Sequence, residues 1–416
     1  MMADSSLPDS TSDRQTLWVV SELYYPEETS TGYYLTRIAE GLADTFDVKV
    51  LCGQPNYSAR GTVAPKRESH NGVEIVRAAG TTLNKNIIPF RVVNMLTLGI
   101  STFFHALFGF KKGDRVLVVT TPPAMPFVIA LASLIRGAAY ILLIHDNYPE
   151  ILVAAGKAKP SGAVCNVLNF FNRWLYKHTS KIIAVGRDMK EMLEQKTVGL
   201  DTAIDVIPNW AELETVHPMP KDENPLLAEL GLKDAFVLLY AGNMGHPNDL
   251  ETIIKTADEL RDDRDIHFVF LGSGVKKSYL LKSVEELKLT NVTILEPRPR
   301  EEQAVFLNAC DVAIVSLVNK MKGVSMPSRT YNILAAGKPI LALTENGSEI
   351  ARVIADDNVG WHCPSGDVSR FTELVRAASK SRNLKAMGER ARNAALTRYD
   401  LDRAIGLYRD AITTVQ

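Results

Sequence analysis

The densest chemistry in this 416-residue chain reads Gly323-Val324-Ser325-Met326-Pro327-Ser328-Arg329, followed by Thr330-Tyr331-Asn332-Ile333-Leu334-Ala335-Ala336-Gly337-Lys338-Pro339. A loop of Gly, Ser and Pro runs into a short helical pattern. Pro327 restricts the entry, Ser328 is placed to cap it, and Gly337 with Pro339 ends it. Helix-start N–H groups, the hydroxyls of Ser325 and Ser328 and the Arg329 cation are the parts of a diphosphate site. The plainer reading makes Arg329 a surface cation and Ser328 only a cap. The density of the combination favours the diphosphate.

Two further loops carry glycine: Ala241-Gly242-Asn243-Met244-Gly245-His246, and Gly272-Ser273-Gly274 with Lys276 and Lys277 just beyond. They suggest a nucleotide cradle, although neither is GxGxxG or a Walker loop, and the second also reads as a simple turn. Thr31-Gly32 either brings N–H groups to an anion or forms an ordinary helix cap with a tight entry. His145-Asp146 follows the apolar run Tyr140–Ile144; His145 is either a site residue or a structural histidine satisfied by backbone. Asp146 and Glu150 can orient His145 or an acceptor. Trp210 can stack on a sugar or pack a hinge.

These loops need a scaffold, and the hydrophobic pattern supplies one. Apolar runs at Leu17–Val20, Val48–Cys52, Val73–Val76, Arg115–Thr120, Tyr140–His145, Lys181–Val185 and Ile204–Ile207 alternate little, as parallel strands covered on both faces do. Helical patterns such as Tyr33–Ala43, Phe127–Ile135 and Ala163–His178 lie between them. The stretch Ala211–Lys233, rich in Pro and charge, reads as a linker with a short helix. Strands then resume at Phe236–Tyr240, His267–Leu271, Val292–Leu295, Val312–Ser316 and Ile340–Leu343, separated by helices, and the last fifty or so residues are helical. Such alternation implies right-handed crossovers and doubly wound α/β sheets. Ligands of such sheets bind beyond the carboxyl ends of the strands, where the loops above fall.

Composition narrows the function classes. A formal net charge of -1 points away from general nucleic-acid binding. The four cysteines, Cys52, Cys165, Cys310 and Cys363, are far apart and form no CxxC pair, so they read as buried thiols in a reducing compartment. The first fourteen residues are polar, which predicts a flexible tail over 1–14 and no secretory signal. No run of 18 uninterrupted apolar residues occurs.

In order and spacing, five pieces resemble glycosyltransferase family 4, of the two-Rossmann GT-B fold: the first-strand loop ending Thr31-Gly32, Ile144-His145-Asp146-Asn147-Tyr148-Pro149-Glu150, Val206-Ile207-Pro208-Asn209-Trp210, Tyr240–Gly245, and Pro327–Gly337. Among its look-alikes, by the same resemblance, are bacterial enzymes that build O-antigen, capsule or exopolysaccharide units on a lipid carrier. The resemblance implies a retaining transfer from a nucleotide diphosphate sugar, with uridine the expected base, without a tightly bound cofactor or required metal. It implies an acceptor domain over residues 15–212, a donor domain over 213–398, and a last helix, 399–416, crossing back to the first. His145, Asp146 and Arg329 become the catalytic candidates. Thr31, Gly32, Gly242, Asn243, Gly245, Gly272, Gly274, Lys276, Ser325, Pro327, Ser328, Arg329 and Asn332 become donor contacts, and Tyr25, Glu150 and Trp210 acceptor contacts. One departure stands out: the family's two glutamates, eight positions apart, correspond here to Val324 and Asn332.

The segment Ile87–Phe110 is rich in Phe, Leu, Ile and Met, has no charge after Arg91, and is followed by Lys111 and Lys112. It predicts either a core helix or an interfacial helix at a lipid surface. The second fits a polyprenyl-linked acceptor and a cytoplasmic protein peripheral to the inner face of the membrane. Two other functions fit the pattern: a UDP-sugar epimerase, and a nucleotide-sugar-binding protein without catalysis.

Overall fold

The computed structural model describes residues 14–55, 63–83 and 87–415, so the expected tail lies outside the described residues except for Arg14. The chain divides into two compact units, Met1–Leu143 with Tyr408–Gln416, and Ile144–Leu407.

In the first unit, β1 (Thr16–Val20), α1 (Ser30–Leu42), β2 (Asp47–Cys52), β3 (Arg67–His70), β4 (Val73–Arg77), α2 (Ile88–Gly109), β5 (Arg115–Val119), α3 (Met125–Arg136) and β6 (Ala139–Ile144) follow one another. The strand order is β3-β4-β2-β1-β5-β6. The neighbours are parallel except β3 and β4, which run antiparallel. Central strands are enclosed on both faces: Val116, Leu117, Val118 and Val119 are all 0% exposed. That is why they read as unbroken apolar runs. β3, Arg-Glu-Ser-His, lies at the sheet edge and has no apolar pattern to predict it.

Of the two readings of Ile87–Phe110, the core helix is corrected. Only 17% of the apolar stretch within Pro89–Gly109 is buried. Leu98, Thr102 and Ala106 turn inward, while Leu96, Ile100, Phe104 and Phe108 are exposed. Each set repeats every four residues and the two are offset by two, which puts them on opposite faces of one helix.

The chain's last residues complete this unit. Tyr408 and Ile412 are fully buried. Arg115 Nη2 donates to the carbonyls of Thr413 at 3.0 Å and Val415 at 2.9 Å.

The second unit opens with α4 (Glu150–Ala154), α5 (Ala163–His178), β7 (Lys181–Ala184), α6 (Arg187–Lys196) and β8 (Ile204–Val206), with β7 and β8 parallel. The short helix expected within Ala211–Lys233 is α7 (Pro225–Leu230). Asn224 caps it by accepting from Leu226 N and Leu227 N. Next come β9 (Phe236–Ala241), α8 (Leu250–Glu259), β10 (Ile266–Leu271), α9 (Lys277–Leu287), β11 (Val292–Leu295), α10 (Gln303–Asn308), β12 (Val312–Ser316), α11 (Arg329–Ala335), β13 (Ile340–Leu343), α12 (Glu349–Asp357) and β14 (Gly360–Cys363). Helices α13 (Val368–Ser379), α14 (Leu384–Arg398) and α15 (Leu401–Thr413) close the chain, and α15 ends in the first unit. Strands order as β11-β10-β9-β12-β13-β14, all parallel, over a core that includes Tyr240, Leu250, Phe268, Phe270 and Phe371. This order reverses direction between β9 and β12, so the loops after those strands open the crevice that such sheets use for ligands.

Candidate active site

The glycine loops after β9 and β10 hold each other. A Cβ on Gly272 would lie 2.0 Å from the Gly242 carbonyl oxygen, and one on Gly274 would lie 2.5 Å from the Met244 backbone. Gly242 and Gly272 have φ of +143° and +146°, a region other residues rarely adopt. Met244 N donates to Ser273 O at 2.7 Å and Lys276 N to Met244 O at 2.9 Å. Backbone zips to backbone, which accounts for glycine here on packing grounds alone. Gly245 packs on the Asn243 side chain. Asn243 is exposed, and its carbonyl accepts from Tyr240 Oη at 2.7 Å and Asn248 Nδ2 at 2.9 Å. Lys276 Nζ bonds Asn248 O at 2.7 Å and Glu251 at 3.0 Å, and Lys277 pairs with Glu296 at 2.6 Å. Both ammonium groups are therefore held by neighbours of the loop.

Arg329 closes over this pair of loops. Its Nη1 donates to Ala241 O at 3.0 Å and its Nη2 to Asn248 Oδ1 at 3.2 Å. The guanidinium lies 4.8 Å from the centre of the Tyr240 ring. A Cβ on Gly242 would collide with Nη1 at 2.6 Å. So the glycine lets the cation settle against the strand end, and two bonds with one ring contact fix its plane. Arg329 is thus a positioned cation rather than a free surface one.

The loop before it is belted by two segments far away in sequence. Asn147 Nδ2 donates to Gly323 O at 2.7 Å and Asn147 N to Val324 O at 2.8 Å. Asp146 and Ser325 form an isolated antiparallel bridge. Asp188, at the start of α6, accepts from Gly323 N at 2.8 Å and Glu349 N at 3.0 Å. Glu349 in turn accepts from Arg187 N at 2.7 Å. Asn147 and Asp188 were not anticipated. The only local signal is a polar residue just past a strand end, since the bond from Asp188 spans 135 positions.

Burial tunes the groups on this belt. Desolvation pushes the His145 imidazole down to about 4, which leaves it neutral near pH 7. Desolvation also raises Asp146, opposed by its hydrogen bond from Ser325. Asp188 is raised by burial as well, against the N–H bonds it accepts.

Several expected contacts have other partners. Trp210 is 1% exposed, so its indole presents no face to a sugar, and of its two readings the packing one holds. Asn332 is 4% exposed and its Oδ1 accepts from Glu212 N at 2.8 Å, which removes it from the donor contacts. Ser328 makes no side-chain cap to α11. The cap is unneeded because Thr330 N and Tyr331 N bond back to Pro327 O and Ser328 O, which also takes those N–H groups from any anion. Pro327 is half-buried. Gly337 does end the helix, with φ +65° and the bonds Gly337 N to Leu334 O and Lys338 N to Ile333 O. Glu150 is paired with Lys196 at 2.5 Å.

In the first unit, Gly32 N faces Thr29 Oγ1 at 3.4 Å, and a Cβ on Gly32 would meet Glu27 O at 2.7 Å. Thr31 sits in the first turn of α1. A helix cap with a tight entry accounts for this pair. Tyr25 stacks on His70 with ring centres 3.8 Å apart. All four cysteines are free and buried. Among the described residues no group of three or more His, Cys, Asp or Glu is placed to hold a metal ion.

Two family models match: "Glycosyl transferase 4-like domain" over residues 30–210 and "Glycosyl transferases group 1" over residues 224–394. The chain belongs to the family 4 glycosyltransferases. Among curated relatives of this glycosyltransferase, "Probable glycosyltransferase WbjE" of Pseudomonas aeruginosa is 29% identical over 366 residues, covering 86% of this chain and 88% of that protein. "Putative colanic acid biosynthesis glycosyl transferase WcaI" of Escherichia coli K12 is 28% identical over 345 residues, covering 79% and 83%. Solved structures with the same fold include a sucrose-phosphate synthase from Thermosynechococcus elongatus, with TM-score 0.77, 14% identity and coverage of 96% and 100%. Anabaena HepE in complex with UDP follows at TM-score 0.72, 14% identity and the same coverage. The fold of this glycosyltransferase is GT-B, two parallel-sheet α/β domains.

Proposed function

We propose that this glycosyltransferase moves a hexosyl or N-acetylhexosaminyl group, with retention, from a UDP-sugar to a glycan or polyprenyl-linked acceptor in bacterial surface polysaccharide synthesis. The observation that carries the donor reading is the guanidinium of Arg329, fixed against Ala241, Asn248 and Tyr240 at the end of β9. The name of WcaI, which places that relative in colanic acid biosynthesis, supports the pathway, and HepE bound to UDP and glucose supports the donor class.

In this reading the acceptor hydroxyl oxygen bonds to the anomeric carbon on the face from which the diphosphate leaves. The carbon–oxygen bond to the diphosphate breaks, its electron pair passes to phosphate oxygen, and that phosphate takes the acceptor proton. Arg329 stabilises the developing phosphate charge. Neutral His145 donates or accepts a hydrogen bond near the reacting carbon, and Asp146 with Ser325 holds its segment. Residues 15–212 serve the acceptor and 213–398 the donor, with the helix at 399–416 tying back. The charge balance rests on Arg329 rather than on a metal, so turnover should survive a chelator.

The outward ridge of α2 supports a peripheral position at the inner face of the membrane. Leu96, Ile100, Phe104 and Phe108 are 50–80% exposed, and no acidic residue lies between Ile87 and Lys112. The test is transfer itself: a panel of nucleotide sugars with and without acceptor, the anomeric configuration of fresh product read by NMR. Product that forms only with acceptor and keeps the donor's configuration supports the reading. Epimerised sugar formed from a UDP-sugar alone overturns it in favour of an epimerase, and binding without turnover across the panel overturns it in favour of a non-catalytic binder.

A further inference from the structure

Beside the belt lies an open cleft of about 280 Å³ that the donor reading leaves unused. Its walls include Glu150 of α4, Cys165 and Asn169 of α5, Met192 of α6, and Lys320 with Lys322 from the loop after β12. Both lysines are exposed, and among the described residues neither ammonium has an ion-pair partner, the nearby Glu345 carboxylate accepting instead from the Lys322 amide at 2.9 Å. Lys320 holds φ of +73°, an unfavourable state for a lysine. The cleft's carboxylate, Glu150, is neutralised by Lys196. Its lining therefore carries an uncompensated positive charge.

Cys165 and Asn169, one turn apart on α5, face this cleft. The same helix exposes Val164 at 57%, Val167 at 54%, Phe170 at 73% and Phe171 at 49%. From Ile151 to Arg187 there is no Asp or Glu, whereas Lys157, Lys159, Arg173, Lys177 and Lys181 all occur. A cationic, anion-binding site is thus joined by one helix to an exposed apolar, acid-free surface. A ligand that satisfies both has a charged head and a hydrocarbon tail in one molecule.

We propose that this cleft binds the diphosphate head of a lipid-linked acceptor, with Lys320 and Lys322 on the phosphates and the outer face of α5 against the lipid chain. This rests on the transferase reading, gives its lipid-linked acceptor a site, and adds two lysines of the 213–398 segment to the residues that serve that acceptor. Burying each phenyl or valyl group in lipid adds to affinity, while the lysines select the charged form.

The test is binding of farnesyl diphosphate to the full chain, with farnesol and inorganic pyrophosphate as controls and UDP binding measured in parallel. Farnesyl diphosphate is expected to bind at least tenfold more tightly than either control. K320S/K322S is expected to weaken it tenfold or more, F170S/F171S several-fold, and neither to change UDP binding. Arg329→Ala should do the reverse, weakening UDP alone. Pyrophosphate binding as tightly as farnesyl diphosphate overturns the lipid part. Loss of farnesyl diphosphate binding in Arg329→Ala, or none in K320S/K322S, overturns the site. Both pairs of substituted side chains are exposed, so folding is not expected to intervene. Absence of UDP-sugar binding or turnover in the wild type would instead count against the transferase reading itself.

Discussion

Arg329 concentrates the donor chemistry in one side chain. Removing a preorganised donor from a developing anion costs roughly 100–1,000-fold in turnover, so Arg329→Ala should lower kcat/KM by that order. Arg329→Lys should restore only part, because one ammonium cannot keep both the Ala241 and Asn248 bonds while facing a phosphate. Activity within threefold of wild type in both variants would remove Arg329 from the mechanism. His145 makes a separate, pH-dependent statement. Its folded value of about 4 lies below the ordinary imidazole value near 6.5. Above 6.5 both states are neutral and the group is silent. As pH falls, the unfolded chain takes up a proton that the folded one resists, and stability drops by roughly 2–3 kcal/mol by pH 4.5. Urea midpoints at pH 7 and 4.5 should show this drop shrinking in His145→Asn; equal drops would contradict the buried neutral imidazole. The sequence revealed Arg329 because its neighbours are Gly, Ser and Pro. At Trp210 and Asn332 residue type suited a ligand but burial or a protein partner had already claimed the group, and at Ser328 the expected helix cap is not made. Asn147 and Asp188 were invisible because their partners at Gly323 and Val324 are brought near only by the fold.

At the level of elements, the centres of the buried strands were legible because parallel strands between helix layers need unbroken apolar runs. The polar edge strand β3 and the short β14, Gly-Trp-His-Cys, carried no such run. The zipped glycine loops make a sharp demand. Gly272→Ala places a methyl carbon 2.0 Å from the Gly242 carbonyl, so one loop must move. A loss on the order of 3 kcal/mol is expected from strain of this kind, together with weaker UDP binding. A urea midpoint unchanged from wild type would show that the loops part easily. The α2 ridge is a second element with a testable surface. Phe104 and Phe108 are each worth roughly 1.5–3 kcal/mol if fully buried in lipid. F104S/F108S should therefore reduce cosedimentation with anionic vesicles more than tenfold and leave folding intact. Equal sedimentation would assign that face to something other than lipid.

For the whole molecule, the telling feature is the return of the carboxyl terminus to the first unit. Ending the chain at Leu407 removes the fully buried Tyr408 and Ile412 and the carbonyls that Arg115 grips. The first unit should then unfold several degrees lower in a calorimetric scan, and a midpoint within one degree of wild type would make that tail dispensable. The same feature sets an order of events on the ribosome. Met1–Leu143 emerges early, yet its remaining piece, Tyr408–Gln416, is made only after Leu407. The intervening chain takes on the order of tens of seconds to synthesise. Throughout that interval the first-made unit waits with a vacant seat for Tyr408, which only late synthesis fills.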